Sequence, residues 1–205
     1  MGTATLLLPY AGSEASGVAI TRTLGEGDTR LELGLKLASD GGTLTSLDGE
    51  GAATMASVTM GVTQDLGGKG FLALSGEFGL TDLGGATVLT DATTATFNAA
   101  RISIGTGDLF AKGDRFSIGV GLPIAIASGQ AHTELPVLRE GMAMSYEDVT
   151  LDLSPDDRQI DLEMTYQAEL GQNLEMKLSL VHSRNYGNRA GVTDTSGALA
   201  FAFKF

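Results

Sequence analysis

The chain offers few groups for catalysis. Only two histidines, His132 and His182, occur among its 205 residues, and cysteine is absent. A nucleophilic triad needs nucleophile, base and orienting acid in mutual contact. Serine and aspartate are plentiful, yet no Gly-x-Ser-x-Gly elbow occurs, so both histidines are expected as solvated or interfacial groups near strand ends. Gly67-Gly68-Lys69-Gly70 resembles a phosphate loop in composition only: it lacks the Ser or Thr after Lys and a following helix, and a hairpin turn is expected. Asp40-Gly41-Gly42 and Asp48-Gly49-Glu50 carry oxygens suited to calcium, but their spacing matches neither an EF-hand nor a glycine-rich calcium repeat, and a loop is expected. Neither cofactor nor metal is expected, and the chain is read as non-enzymatic, a barrel-borne lipase or protease being the enzymatic alternative.

Charge is more informative. The net charge is −12, with no basic stripe, which argues against a nucleic-acid partner because phosphate binding needs clustered Lys and Arg. The charged residues fall at alternate positions of apolar segments. In 160–170, Ile160, Leu162, Met164, Tyr166, Ala168 and Leu170 oppose Asp161, Glu163, Thr165, Gln167 and Glu169. Leu174, Met176, Leu178 and Leu180 oppose Glu175, Lys177 and Ser179; Leu31, Leu33, Leu35 and Leu37 oppose Glu32, Gly34 and Lys36. Leu72, Leu74, Phe78 and Leu80 oppose Ala73, Ser75, Glu77 and Gly79. Period two is a strand's period, so each segment has one apolar face and one small-or-charged face.

The clearest such segment is 116–126, with Phe116, Ile118, Val120, Leu122, Ile124 and Ile126 on one face. Pro123 interrupts its ladder and calls for an edge position or a bulge. Weaker strands are expected at 18–24, 54–62, 95–104, 131–138 and 142–153. The last changes phase at Glu147-Asp148, which a bulge would absorb. The tail closes the pattern: Leu199, Phe201, Phe203 and Phe205 share one face, Ala200, Ala202 and Lys204 the other. Short turns such as Lys112-Gly113-Asp114 and Ser154-Pro155-Asp156-Asp157 separate neighbours, which must then be antiparallel. Longer polar connections fall near 39–51, 81–94 and 184–194.

The expected fold is therefore all-β, an antiparallel up-and-down meander of about ten to twelve strands, closed into a membrane β-barrel. It forms one domain over 1–205, with 1–15 as an extended lead-in. A soluble barrel would turn its leucines inward, whereas a membrane barrel turns them toward lipid and keeps small and charged residues inside. The face opposite the leucines is rich in Gly, Ala, Ser and Thr and carries Glu32, Lys36, Glu77, Arg101, Asp161, Glu163, Glu169, Glu175, Lys177 and Lys204, expected as lumen-facing charges. With no Trp and 6% aromatic residues, the interfacial girdles are thin. A small outer-membrane pore, whose lumen charges would set ion preference, and a soluble β-sandwich module remain the alternatives. The amino-terminal run Leu6-Leu7-Leu8 is too short for a signal peptide, so any export signal is expected upstream.

Residues 114–186 resemble the carboxyl-terminal region of proteobacterial subtilisin-like serine proteases of the autotransporter type. The likeness rests on Leu122-Pro123-Ile124, Ser128-Gly129-Gln130-Ala131, Leu153-Ser154-Pro155, the run Arg158 to Tyr166, and Ser183-Arg184-Asn185. Where the family often has a His after the Arg-Asn pair, this chain has Tyr186-Gly187-Asn188. The resemblance implies a translocator or surface anchor in the bacterial outer membrane, in contact with outer-membrane lipid and covalently linked to an upstream passenger. It also implies that the stripe Leu199, Phe201, Phe203 and Phe205 is the signal read by the barrel-assembly machinery, through β-augmentation of an exposed edge.

Overall fold

The computed structural model describes residues 2–7, 16–25, 27–39, 54–82, 91–92, 94–139, 143–171 and 174–203. The strands among them are β1 (Gly2–Leu7), β2 (Ser16–Leu24), β3 (Thr29–Ser39), β4 (Thr54–Gly67), β5 (Gly70–Asp82), β6 (Asp91–Ala92) and β7 (Ala95–Gly107). They continue with β8 (Arg115–Ser128), β9 (Gln130–Arg139), β10 (Ala143–Asp152), β11 (Ile160–Glu169), β12 (Leu174–Arg184) and β13 (Thr193–Phe203). One 3₁₀ turn, Tyr186–Asn188, is the only helical element described. No described helix is long and apolar enough to cross a membrane.

Ten strands form one antiparallel sheet in the order β1-β2-β3-β4-β5-β7-β8-β11-β12-β13, and β10-β9-β6 form a second, three-stranded sheet. The fold is thus the expected all-β meander. Among the described residues no ladder joins β1 to β13, so this sheet is not closed. Residues 2–7, inside the expected lead-in, pair with β2 from Gly2↔Arg22 to Leu7↔Gly17.

The two ends of the sheet differ. At one end lie the hairpin turns 25–28 and 68–69, the tight loop 108–114 and the connection 170–173; at the other the connections span 8–15, 40–53, 83–94, 129–159 and 185–192. Because ten is even, β1 starts and β13 finishes at the turn end. Positive φ at Gly67, Gly68 and Lys69 gives the β4–β5 hairpin its two-residue turn, so Gly67-Gly68-Lys69-Gly70 is a turn and not a phosphate loop.

Two sequence expectations are corrected. The first is the bulge at Glu147-Asp148: β9 and β10 pair without interruption from Ala143↔Arg139 to Asp152↔Gln130. This hairpin leaves the main sheet, so its apolar residues need not keep one face, and Met144 and Tyr146 stand exposed. The second is the single phase of 116–126. The ladder shifts between Asn98↔Ala125 and Ala100↔Leu122, placing Pro123 in a bulge. Beyond it Ile126 pairs with Phe97 and, like Leu153, packs on Ala95 instead of continuing the apolar stripe. Proline has no N–H to give the ladder, and the bulge absorbs that loss.

One group of buried residues collects at the long-connection end. Met55, Ser57, Thr81, Ala95 and Phe97 are enclosed there, Phe97 completely. Phe97 lies opposite Gly79, where a methyl group would meet the ring and approach the Ala56 carbonyl oxygen to 2.6 Å. Phe71 is seated in the same way opposite Gly105. Glycine in these strands makes room for a ring across the ladder, which restores the packing that glycine lacks.

Candidate functional site

The ladder sorts the side chains into alternating rows. One row runs Thr23, Glu32, Gly61, Ser75, Arg101, Gly121, Asp161, Ser183, Asp194 across nine neighbouring strands. The adjacent row runs Leu24, Leu31, Val62, Leu74, Ile102, Val120, Leu162, His182, Thr195. Directly paired residues share a face, so the first row is polar and small and the second predominantly aliphatic.

The polar face is concave. A cavity of about 680 Å³ is lined by residues from β2 (Thr23) to β11 (Asp161, Glu163), so the sheet curls around it. Glu32, Glu77, Arg101, Asp161 and Glu163 line this space together with Arg30 and Arg115. A second cavity of about 280 Å³ includes Lys177. Charges of opposite sign meet inside: Arg101 pairs with Glu163, and Lys36 Nζ lies 3.5 Å from Glu77 Oε1, which also accepts a 2.5 Å hydrogen bond from Ser57 Oγ. Gly121 leaves space for Glu163, whose Oε1 would stand 2.9 Å from an added methyl. Glu169 and Glu175 face each other across β11 and β12, Glu175 accepting from Gln167 Nε2. Lys204 lies outside the described residues.

The opposite face is apolar and exposed. Ile20, Leu35, Val58, Phe78, Ile102, Val120, Leu162, Leu180 and Leu199, one from each of nine strands, are between 41% and 62% exposed. Phe201 continues the stripe on β13 and is exposed; the side chain of Phe203 and all of Phe205 lie outside the described residues.

Each histidine meets a threonine of the neighbouring strand. His132 Nδ1 and Thr150 Oγ1 are 3.1 Å apart, and His182 Nδ1 and Thr195 Oγ1 are 2.8 Å apart, both as cross-strand pairs. Among the described residues no group of three His, Asp or Glu side chains is placed to hold a metal ion. Asp40, Asp48 and Glu50 lie outside the described residues.

Two polar knots escaped the sequence reading. At the long-connection end Arg158 reaches the bulge: Nη2 donates to the carbonyl oxygens of Asn98 (2.6 Å) and Pro123 (3.0 Å), and Nη1 donates to Asn98 Oδ1. Burial pulls this guanidinium below its ordinary pKa. Its neighbour Gln159 accepts from Gly187 N and donates N–H to Asn188 Oδ1 (3.0 Å), while Asn185 Nδ2 donates to the Arg158 carbonyl (3.3 Å). The Arg158 and Ser183-Arg184-Asn185 segments, both singled out in the sequence, are therefore in contact. At the turn end the buried Asp114 accepts from the N–H groups of Leu109, Phe110 and Ala111 at 2.7–2.8 Å and from Tyr166 Oη at 3.0 Å. Burial pushes its pKa up, but these donors outweigh burial and hold it below the usual carboxylate value. Lys69 staples neighbouring turns, its carbonyl accepting from Gly107 N and its ammonium pairing with Asp108. That pairing, with a hydrogen bond from Gly113 N, lowers the pKa of Asp108. Spacing along the chain gives no sign of the Arg158 knot, whose partners lie up to 60 residues away, or of the Tyr166 bond to Asp114, 52 residues away.

No family model matches the chain, and no curated protein or solved structure matches it either.

Proposed function

We propose that the ten-stranded sheet closes, β1 against β13, into a bacterial outer-membrane β-barrel that serves as an autotransporter-like translocator or surface anchor for an upstream passenger. The observation that carries this reading is the exposed aliphatic stripe crossing nine strands on the convex face. Water-soluble monomers rarely expose a contiguous apolar patch beyond a few hundred Å², and the stripe is what a lipid-facing band requires. Three further features support it. The strand number is even, so β1 and β13 run antiparallel and can pair. Short turns gather at the end where β1 begins and β13 ends, with longer connections opposite, the asymmetry of outer-membrane barrels. The inner face pairs its charges around a polar cavity.

Buried packing around Phe97 at the long-connection end supports an anchor over an open channel. In this reading the outward residues of β13, Leu199 and Phe201, belong to the stripe that the barrel-assembly machinery recognises. The test is surface display. The chain is fused behind a signal peptide and an epitope-bearing passenger and produced in a Gram-negative host. The epitope should be cleaved by protease added to intact cells, and the barrel should run as a compact, heat-modifiable band in the outer-membrane fraction. A soluble periplasmic product would refute the membrane reading; a membrane-inserted barrel with its epitope protected would refute the display role alone.

A further inference from the structure

We infer that the turn end of the inner face binds a small oxyanion, for which inorganic phosphate is the simplest probe. The inference uses the concave inner face on which the barrel reading also rests, and adds a ligand that reading does not assign.

The cavity of about 280 Å³ is lined by Arg101, Arg115 and Lys177 together with the hydroxyls of Ser103, Ser117 and Thr165. Among the described residues no carboxylate lines it. The nearby acids are held by residues of the cavity wall without lining the cavity themselves. Glu163 pairs with Arg101 and lines the larger cavity; Glu175 accepts from Gln167, and it faces Glu169 closer to the strand ends. The register brings the donors together: Ser117 pairs with Thr165, Arg115 with Gln167, and Gln167 with Lys177, so β8, β11 and β12 present them side by side.

Arg115 stacks 4.3 Å above the Phe71 ring. A ring face orients the guanidinium plane without neutralising it, and no described carboxylate pairs with Arg115. A planar fork, an ammonium and hydroxyl donors around one space form the donor set that phosphate-like oxyanions select. Walls of low dielectric concentrate the field of like charges in a cleft, which raises the local concentration of counter-ions. At about 30 Å³ per water molecule the cavity holds roughly nine, room for one oxyanion with part of its hydration shell.

The experiment is a calorimetric titration of the folded full chain with inorganic phosphate at low ionic strength, with sulfate as competitor. Saturable one-site binding is expected, weakening as salt rises. Arg115→Gln and Lys177→Gln should each weaken it about tenfold, the loss expected for one charged hydrogen bond. Lys69→Gln, whose ammonium pairs with Asp108 away from the cavity, should leave it unchanged. Should Arg115→Gln fail to fold, Lys177→Gln at an exposed side chain carries the test. Absence of saturable binding, or binding that survives both replacements, overturns the site. The titration is run in whichever medium folds the chain. Folding only in buffer sinks the barrel reading while the titration still decides the site; folding in detergent without phosphate binding sinks the site alone.

Discussion

Arginine placed on the convex face measures what that face touches. Ile102 sits midway along β7, is 46% exposed, and is flanked in its row by Leu74 and Val120, which are 50% and 45% exposed. In water, replacing such a half-exposed side chain alters stability by no more than about 0.5 kcal/mol. At the midplane of a bilayer the same replacement costs about 2–4 kcal/mol. Leu37, 61% exposed, lies two residues from the end of β3 at the long-connection side, where the cost for arginine falls to about 0–1 kcal/mol. The two variants should therefore differ by about 2 kcal/mol, roughly a thirtyfold difference in folding equilibrium constant. Urea titration of protein folded into lipid vesicles, followed by heat-modifiability and tryptophan-independent circular dichroism, reads both values under one condition. Equal, small losses at Ile102 and Leu37 would refute the claim that this face meets lipid.

Other perturbations probe the knots and the packing. Arg158→Ala leaves the carbonyl oxygens of Asn98 and Pro123 without their donor and should cost about 1–3 kcal/mol, with faster hydrogen exchange confined to the β7–β8 bulge and the 185–192 connection. Gly79→Ala should cost about 1–3 kcal/mol by displacing the Phe97 ring, and Phe97→Leu should recover part of that loss in the double variant. Asp114 binds its proton more weakly when folded than when unfolded, so its contribution is present above its ordinary value of 3.8 and is lost as pH falls through its lower folded value. Acid unfolding of the wild type should accordingly steepen below about pH 4, and Asp114→Asn should flatten that limb while lowering stability at pH 7.

Alternation in the sequence was enough to assign faces where the ladder is regular. The division at 160–170 recurs in the structure, with Leu162 exposed on the apolar row and Asp161 and Glu163 lining the cavity. The same holds for Glu32, Glu77 and Arg101, because a strand's period of two is fixed by its backbone. Alternation does not reveal where the ladder breaks. Pro123 marked the place, yet only the register tells that Ile126 turns to Phe97 beyond it. Nor does it reveal which strands neighbour one another: β9 and β10 read as members of the meander but depart from it, leaving β8 to pair with β11. Least legible were Arg158 and Asp114, whose roles lie in hydrogen bonds to backbone groups of other segments or of a single tight loop. Sequence supplies their charge but not their partners.

The central claim is that the aliphatic row faces lipid and the charged row faces the interior, and neighbouring positions on the same strands test it. Single cysteines at Ile102 and Leu162, and at Arg101 and Asp161, are introduced into this naturally cysteine-free chain and probed in vesicles with a lipid-phase maleimide and a water-soluble one. The account predicts lipid-phase labelling at 102 and 162 and none at 101 and 161. The reverse parity, or water-soluble labelling at all four, would contradict it.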